Sequence, residues 1–165
     1  MIALDARYPM IVRAAVTAIE ATLPGIATHC YRPKDNLVRV VASSRSWREA
    51  FPQHGPGRKH KRSIELVDWQ RKITASHPHE LLRGLIHSDG CRTVNRFKTK
   101  LPSGRIAEYA YPRYFFSNLS DDIRRIFCKH CELLGIRWTQ SNPRNISISH
   151  RKSVALMDEF IGPKW

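Results

Sequence analysis

One carboxylate at the end of a predicted helix is the residue of this sequence best placed for chemistry. In residues 81–90, Leu-Leu-Arg-Gly-Leu-Ile-His-Ser-Asp-Gly, apolar side chains recur at helical spacing and Asp89 comes last before a glycine. A carboxylate there lies against the negative end of the helix dipole, which costs up to about 1 kcal/mol unless a cation offsets it. Because locally unfavourable residues mark functional sites, Asp89 is a candidate functional residue.

The same predicted helix carries a face that is nearly free of side chains. Gly84 and Ser88 are four residues apart, beside the apolar stripe that includes Leu85. Small residues at this spacing allow a second helix to approach backbone to backbone. Gly90 is the position at which a left-handed C-cap would end the helix.

Residues 82–90 resemble the motif of the LAGLIDADG homing endonucleases. The matching residues are Leu82, Gly84, Leu85, Ile86, Asp89 and Gly90. The substituted ones are Arg83 and Ser88, where the family has alanine, and His87, where it has its first aspartate. This sequence thus retains, as Asp89, the acid that the family uses to bind metal.

The resemblance implies a role for each of these residues. Asp89 would be a catalytic residue and a ligand of Mg²⁺, which prefers oxygen ligands and keeps several waters. Gly84, Leu85 and Ser88 would pack the motif helix against a second helix of the same kind. The alternative, from the residues alone, is a buried helix that ends at a glycine with Asp89 simply exposed.

The charge of the chain indicates an anionic partner. There are 28 lysines and arginines against 14 aspartates and glutamates, which gives a formal net charge of +14. Such a balance is typical of proteins that bind a polyanion, most often nucleic acid. The alternative is a cationic surface that serves only solubility.

The sequence also predicts where the protein resides. It has no run of about 18 apolar residues, so no membrane-spanning helix is expected. The N-terminal residues, which include Asp5 and Pro9, lack the layout of a signal peptide. We therefore expect an intracellular, cytoplasmic protein without membrane association.

The four cysteines fit that compartment, because their number in a chain of 165 residues implies no disulfide framework. Cys128-Lys129-His130-Cys131 has the spacing of a zinc half-site, but no second pair follows at a usual distance. Two buried thiols inside an amphipathic helix are the favoured interpretation.

Residues 91–100 and 106–116 are predicted to form a two-stranded ribbon around the turn Pro102-Ser103-Gly104. The ribbon is basic and aromatic, as expected of a strand pair that reads the major groove of DNA. A half-exposed hairpin with solvated charges is the alternative. The candidate DNA-binding residues are Arg92, Arg96, Lys98, Lys100 and Arg113.

From residue 77 onward, the predicted order is helix, strand, strand, helix, strand, strand, helix. This order resembles the αββαββα unit of the same endonuclease family, and the whole chain is predicted to be α+β. Residues 1–56 repeat the latter part of the unit without its motif helix, and 57–76 form a basic linker with a short helix. The full unit would occupy 77–165.

The resemblance implies that the protein binds double-stranded DNA and hydrolyses its phosphodiesters at specific sites with Mg²⁺. Family members with two repeats have two motif helices, each bringing an acid, but this sequence has one. A second chain or a missing N-terminal segment would supply the other. The alternatives are a DNA-binding protein that does not cleave, on the same fold, and a role in RNA binding or intron splicing.

Overall fold

The computed structural model describes residues 1–164 and gives the backbone alone for Lys59. Within this range the chain is an α+β protein with six α-helices and two antiparallel sheets. The helices are α1 (Pro9–Thr22), α2 (Trp47–Ala50), α3 (Asp68–Ser76), α4 (Pro78–Asp89), α5 (Asp121–Leu133) and α6 (Arg151–Ile161). The strands are β1 (Ile2–Asp5), β2 (Thr28–Lys34), β3 (Leu37–Ala42), β4 (Gly90–Lys100), β5 (Ile106–Ser117), β6 (Thr139–Asn142) and β7 (Asn145–Ile148).

The chain divides into two compact units, one of Met1–Gly57 with Pro163 and Lys164, the other of Arg58–Gly162. Residues 58–76, which the sequence sets apart as a linker and short helix, group with the second unit. The backbone N–H of Ile64 donates to Asp122 Oδ2 at 2.8 Å, which ties this segment to the start of α5. The segment is therefore part of a folded unit.

In the first unit, the sheet order is β1-β3-β2, and α1 packs on β3. Its buried apolar residues are Ile19, Val38 and Val40, on one helix and one strand. Val38 and Val40 alternate with more exposed neighbours, as the period of two in a strand requires. This core is small for a unit of this length.

The second unit has the sheet order β4-β5-β7-β6, with α4, α5 and α6 packed on one face. Leu82 and Ile86, four residues apart on α4, are fully buried there. Phe116 of β5 stacks on Phe127 of α5, with ring centroids 4.4 Å apart. The apolar side chains of the helices and of the sheet are therefore buried in one common core.

The two sheets share an arrangement. In each, a strand leads through a helix into a hairpin, and the second hairpin strand pairs antiparallel with the first strand. The corresponding pairs are Ile2–Val40 with Tyr114–Ile148, and Leu4–Val38 with Phe116–Ile146. Gly25 and Gly135 follow α1 and α5, with φ of +84° and +67°, a conformation that favours glycine. Three elements of the second unit, α3, α4 and β4, have no counterpart among the described residues of the first.

An ion-pair cluster fastens β4 and β5 to the last helix. Arg92 donates through Nε and Nη2 to the two oxygens of Asp158, at 2.7 and 2.8 Å. The buried Tyr114 hydroxyl donates to the same carboxylate at 2.6 Å. The hydrogen bond from Arg92 holds the pKa of Asp158 below its usual range, whereas burial raises the pKa of Tyr114. The cluster therefore depends on an ionised Asp158.

Replacement of Asp158 by Asn should lower the free energy of unfolding by about 1 kcal/mol at neutral pH, a value that allows for solvent screening of a partly exposed pair. Because the folded-state pKa of Asp158 is lowered, its contribution is present above the unfolded-state pKa of about 3.9 and is lost as the pH falls through the folded-state pKa. Urea unfolding of wild type and Asp158→Asn between about pH 7 and pH 2.5 measures this difference. Glu159→Gln, on the exposed neighbour, is the control. A difference that stays constant over the whole pH range would contradict the assignment.

Candidate nucleic-acid interface and metal-binding aspartate

Asp89 is the last residue of α4, and its side chain is exposed. The amide of Asn118 donates from Nδ2 to Asp89 Oδ2 at 2.9 Å. A donor at this place offsets the unfavourable end of the helix dipole that the sequence predicts. The carboxylate is therefore held at a defined position by a residue 29 positions away in the chain.

Asn118 is itself fixed by its surroundings, being buried at the corner between β5 and α5. Its Oδ1 accepts from the backbone N–H of Ser120 at 2.9 Å, and its own N–H donates to the carbonyl of Arg144 at 3.0 Å. Arg124 donates from Nη1 to the Asn118 carbonyl. Every polar group of Asn118 thus has a partner, so its amide cannot rotate away from Asp89 without loss of hydrogen bonds.

The sequence alone does not reveal the bond between Asn118 and Asp89. An asparagine two residues before the helix-capping Ser120 is typical of a local Asx turn, and the bond to the Ser120 N–H fits that pattern. The bond to Asp89 joins the ends of two different elements, and no local pattern encodes it.

Asp89 offers one oxygen ligand of the kind that a magnesium site would use. Magnesium sites commonly use one or two carboxylates together with waters and substrate phosphates. Asp89 can serve as one such ligand. Over residues 1–164, no group of three His, Cys, Asp or Glu side chains is placed to hold a metal ion. A two-metal site would therefore need an acid in addition to those that the described chain brings to Asp89.

Cys128 and Cys131 are both buried in α5, as the sequence predicts for structural thiols. Burial raises the pKa of the Cys128 thiol to about 11 and that of Cys131 still further. Because zinc binds the thiolate, the raised pKa of both thiols disfavours zinc binding relative to ordinary cysteines.

Strands β4 and β5 form one long antiparallel ribbon without a register shift. Directly paired residues share a face, and neighbours along a strand point to opposite faces. We call the face with Tyr114 and Phe116 the inner face, since these two rings lie in the helix-covered core. The opposite, outer face carries Cys91, Thr93, Asn95, Phe97, Tyr109, Tyr111, Arg113 and Phe115.

The structure divides the candidate DNA-binding residues between these faces. Arg92, Arg96, Lys98 and Lys100 share the inner face, which near Tyr114 turns toward the helices. Arg92 is engaged by Asp158, and Lys98 forms an ion pair with Glu108 across the ribbon.

Arg96 and Lys100 are exposed, and neither forms an ion pair within the described chain. Toward the turn the ribbon carries exposed side chains on both faces. These two cations are therefore open to a phosphate. DNA contact by any residue of this set stays a prediction.

Arg113 is the one member of the set on the outer face. Its guanidinium lies over the ring of Phe115, 5.5 Å from the centroid, a distance typical of a cation–π contact. It is partly buried. Arg113 is therefore a cation fixed in place on the outer face.

The residues predicted to pack a second helix lie on two sides of α4. Leu85 is partly buried and packs against the core of the second unit. Gly84 and Ser88 are exposed, and a Cβ placed on Gly84 would meet no atom within 4 Å apart from its own chain neighbours and the adjacent turns of helix backbone. The small-residue face of α4 is thus open, and its packing against a second motif helix stays a prediction.

The left-handed cap predicted at Gly90 is wrong. Gly90 has φ −118° and ψ 173°, which is extended backbone, and it begins β4 directly. The glycine is required by space: a Cβ would lie 2.7 Å from Ile86 Cδ1, 2.8 Å from the Phe115 carbonyl oxygen and 2.9 Å from Ile86 Cα. Helix and strand approach too closely here for a side chain.

Comparison with models of known protein families and with curated proteins finds no match to this chain. No helix over the described residues combines the length and the apolar character needed to cross a membrane.

Substitution of Gly90 by Ala should destabilise the protein by about 1–3 kcal/mol, since the added methyl group meets backbone atoms that cannot yield. Gly84→Ala is the matched control in the same helix. It should be neutral or stabilise by up to about 1 kcal/mol, because a helical alanine has less unfolded-state entropy than glycine and the site is open. Thermal and urea unfolding compare the two variants. Equal changes in unfolding free energy for the two variants would show that Ile86 and the Phe115 carbonyl do not approach Gly90 closely.

Proposed function

We propose that the protein is a DNA-binding protein of the LAGLIDADG homing-endonuclease type. In this proposal it hydrolyses duplex DNA at specific sites, with Asp89 as ligand of Mg²⁺. The observation that carries the proposal is the junction at residues 89–90: the acid at the end of α4 is held by Asn118, and the ribbon β4–β5 starts at the next residue. In this proposal the DNA backbone passes the carboxylate at the base of the basic strand pair.

The element order supports this proposal. The second unit from α4 onward runs α4, β4, β5, α5, β6, β7, α6, which is the αββαββα order expected from the resemblance. The first unit, from β1 to α2, has the order of the last five of these elements. A basic chain of net charge +14 on this scaffold favours a polyanionic substrate.

Hydrolysis of a phosphodiester requires that charge be stabilised on both the attacking water and the leaving oxygen. Bound Mg²⁺ would supply Lewis-acid stabilisation of these oxygens. Asp89 would hold the ion, and Asn118 would keep the carboxylate oriented toward it. Arg96 and Lys100 would neutralise phosphates along the ribbon, so binding should weaken steeply with salt.

A binding protein that does not cleave is the second candidate. It is favoured by one observation: over residues 1–164, no group of three or more His, Cys, Asp or Glu side chains is placed to hold a metal ion. Such a protein would keep the ribbon contacts with DNA. It would bind its DNA target, and bend it or block access to it, without hydrolysing a phosphodiester bond.

One experiment distinguishes the nuclease from the binding protein that does not cleave. Wild type and Asp89→Asn are incubated with a randomised duplex library and Mg²⁺, and new ends are mapped by sequencing. The nuclease proposal expects specific ends from wild type and a loss of cleavage by a factor of 10² or more, roughly, in Asp89→Asn, with DNA affinity kept. Binding by both proteins with no ends from either would favour the non-cleaving candidate.

We further propose that a helix of the α4 kind completes the first unit. This unit has a groove of about 1050 Å³ whose walls come from β1, α1, β3 and α2. The corresponding elements of the second unit, β5, α5, β7 and α6, enclose the side chains of Leu82 and Ile86. The groove is thus at the place that α4 occupies in the other unit.

The lining of the groove is suited to an amphipathic helix. It includes the apolar Ile2, Ile19, Val40, Trp47 and Phe51, with small residues Ala15 and Ala18 along α1. Met1, Ile2 and Phe51 are exposed, an unusual state for large apolar side chains grouped together. Burial of two leucine-sized side chains here would contribute about 3–6 kcal/mol to the first unit. A second motif helix would also bring the second acid that the cleavage chemistry requires.

A peptide with the sequence of residues 77–90 tests this partner. We expect it to bind and raise the melting temperature of the protein, whereas a scrambled peptide should not. Ala18→Arg, which fills the groove, should weaken binding about tenfold or more, and Ala14→Arg, on an exposed part of α1 outside the groove, should not. Equal binding to both variants, or none to wild type, would contradict the proposal.

A further inference from the structure

The outer face of the ribbon carries an aromatic ladder, which we define as Phe97, Tyr109 and Tyr111. Phe97 pairs directly with Tyr109 across the strands, and Tyr111 follows two residues along β5. The three ring centroids are 5.3 to 6.0 Å apart, and the ring planes lie within 12° to 35° of parallel. The rings therefore share nearly one orientation.

The ladder is open to solvent. Phe97 is 44% exposed and Tyr111 is 48% exposed. Aromatic side chains of this size are normally covered, and a contiguous exposed patch marks a binding surface. Cross-strand ring contacts stabilise a hairpin, but they do not require that the outer rings remain accessible. The accessible rings are thus available to a ligand with flat apolar faces.

The residues around the ladder add hydrogen bonding and charge. Asn95 pairs with Tyr111 and Thr93 with Arg113, on the same face. Arg113 is held over Phe115 by its cation–π contact. Arg96 and Lys100 are exposed on the opposite face of β4, so Arg113 is the cation on the face of the ladder. A chain of flat rings flanked by amide, hydroxyl and cationic groups complements bases joined by phosphates.

We propose that the aromatic ladder binds the unpaired bases of single-stranded DNA by stacking. In a duplex, each base is stacked on its neighbours and offers only its edges in the grooves, so a protein ring reaches a base face only where that stacking is broken. An unpaired strand offers its base faces without this cost. Every base has a π-face, so stacking on such rings tolerates any sequence. The choice of DNA over RNA rests on the proposed function, whereas the stacking rests on the rings alone.

The binding is measured by fluorescence anisotropy with a labelled single strand of mixed sequence, its duplex and the RNA of the same sequence. A fourth probe is a strand of equal charge with abasic sites at its centre. At moderate salt, which weakens the phosphate contribution, we expect the single strand to bind at least about fivefold more tightly than the abasic strand. Equal binding of these two would overturn the proposal, with no variant needed.

Phe97→Leu with Tyr111→Leu keeps apolar side chains on the strands while it removes two stacking rings. We expect this double variant to lose about tenfold or more of its single-strand affinity, and the control Val94→Ala, on the inner face, to lose none. Circular dichroism melting verifies that both are folded. Wild-type single-strand affinity in the folded double variant would overturn the proposal, and tighter binding of the RNA would overturn the choice of DNA.

Asp89→Asn separates this proposal from the proposed nuclease. The variant should bind the single strand as wild type does, because Asp89 lies at the far end of β4 from the ladder. A protein that fails to cleave duplex DNA but binds the single strand through the ladder would refute the nuclease and keep the stacking. A protein that cleaves but binds intact and abasic strands alike would do the reverse.

Discussion

The packing of α4 against the second sheet is the constraint on which the rest of this unit depends. Leu82 and Ile86 fill the space between α5, α6 and β5, and so fix the direction in which α4 points. Because α4 runs directly into β4 at Gly90, the same packing sets where Asp89 lies and where the ribbon begins. The hydrophobic core thus positions the polar site.

Glycine acts at this junction through its size. The extended backbone at Gly90 is open to any residue, but Ile86 and the Phe115 carbonyl stand closer than a Cβ allows. The tight approach brings the end of α4 beside the end of β5, where Asn118 reaches Asp89. A looser junction would separate the acid from its hydrogen-bond donor.

The ribbon divides its chemistry between two faces. On the inner face, Arg92 donates hydrogen bonds to Asp158 of α6, and these bonds hold the ribbon against the rest of the second unit. Its outer face exposes rings and a positioned arginine. The cations of β4 therefore differ in role. Arg92, near the core, stabilises the fold, whereas Arg96 and Lys100, toward the turn, are accessible to a ligand.

The sequence by itself determined the positions of most helices and strands, because helix ends and strand alternation are encoded by residues close together in the chain. The helical spacing of the apolar residues in 81–90 predicts a helix, and residues 91–100 and 106–116 predict a strand pair; the structure contains both. Tertiary structure alone decided the partner of Asp89, the conformation of Gly90 and which face of the ribbon the helices cover. These depend on contacts between residues far apart in the chain, such as Asn118 with Asp89 and Asp158 with Arg92, and periodicity cannot specify which distant elements meet.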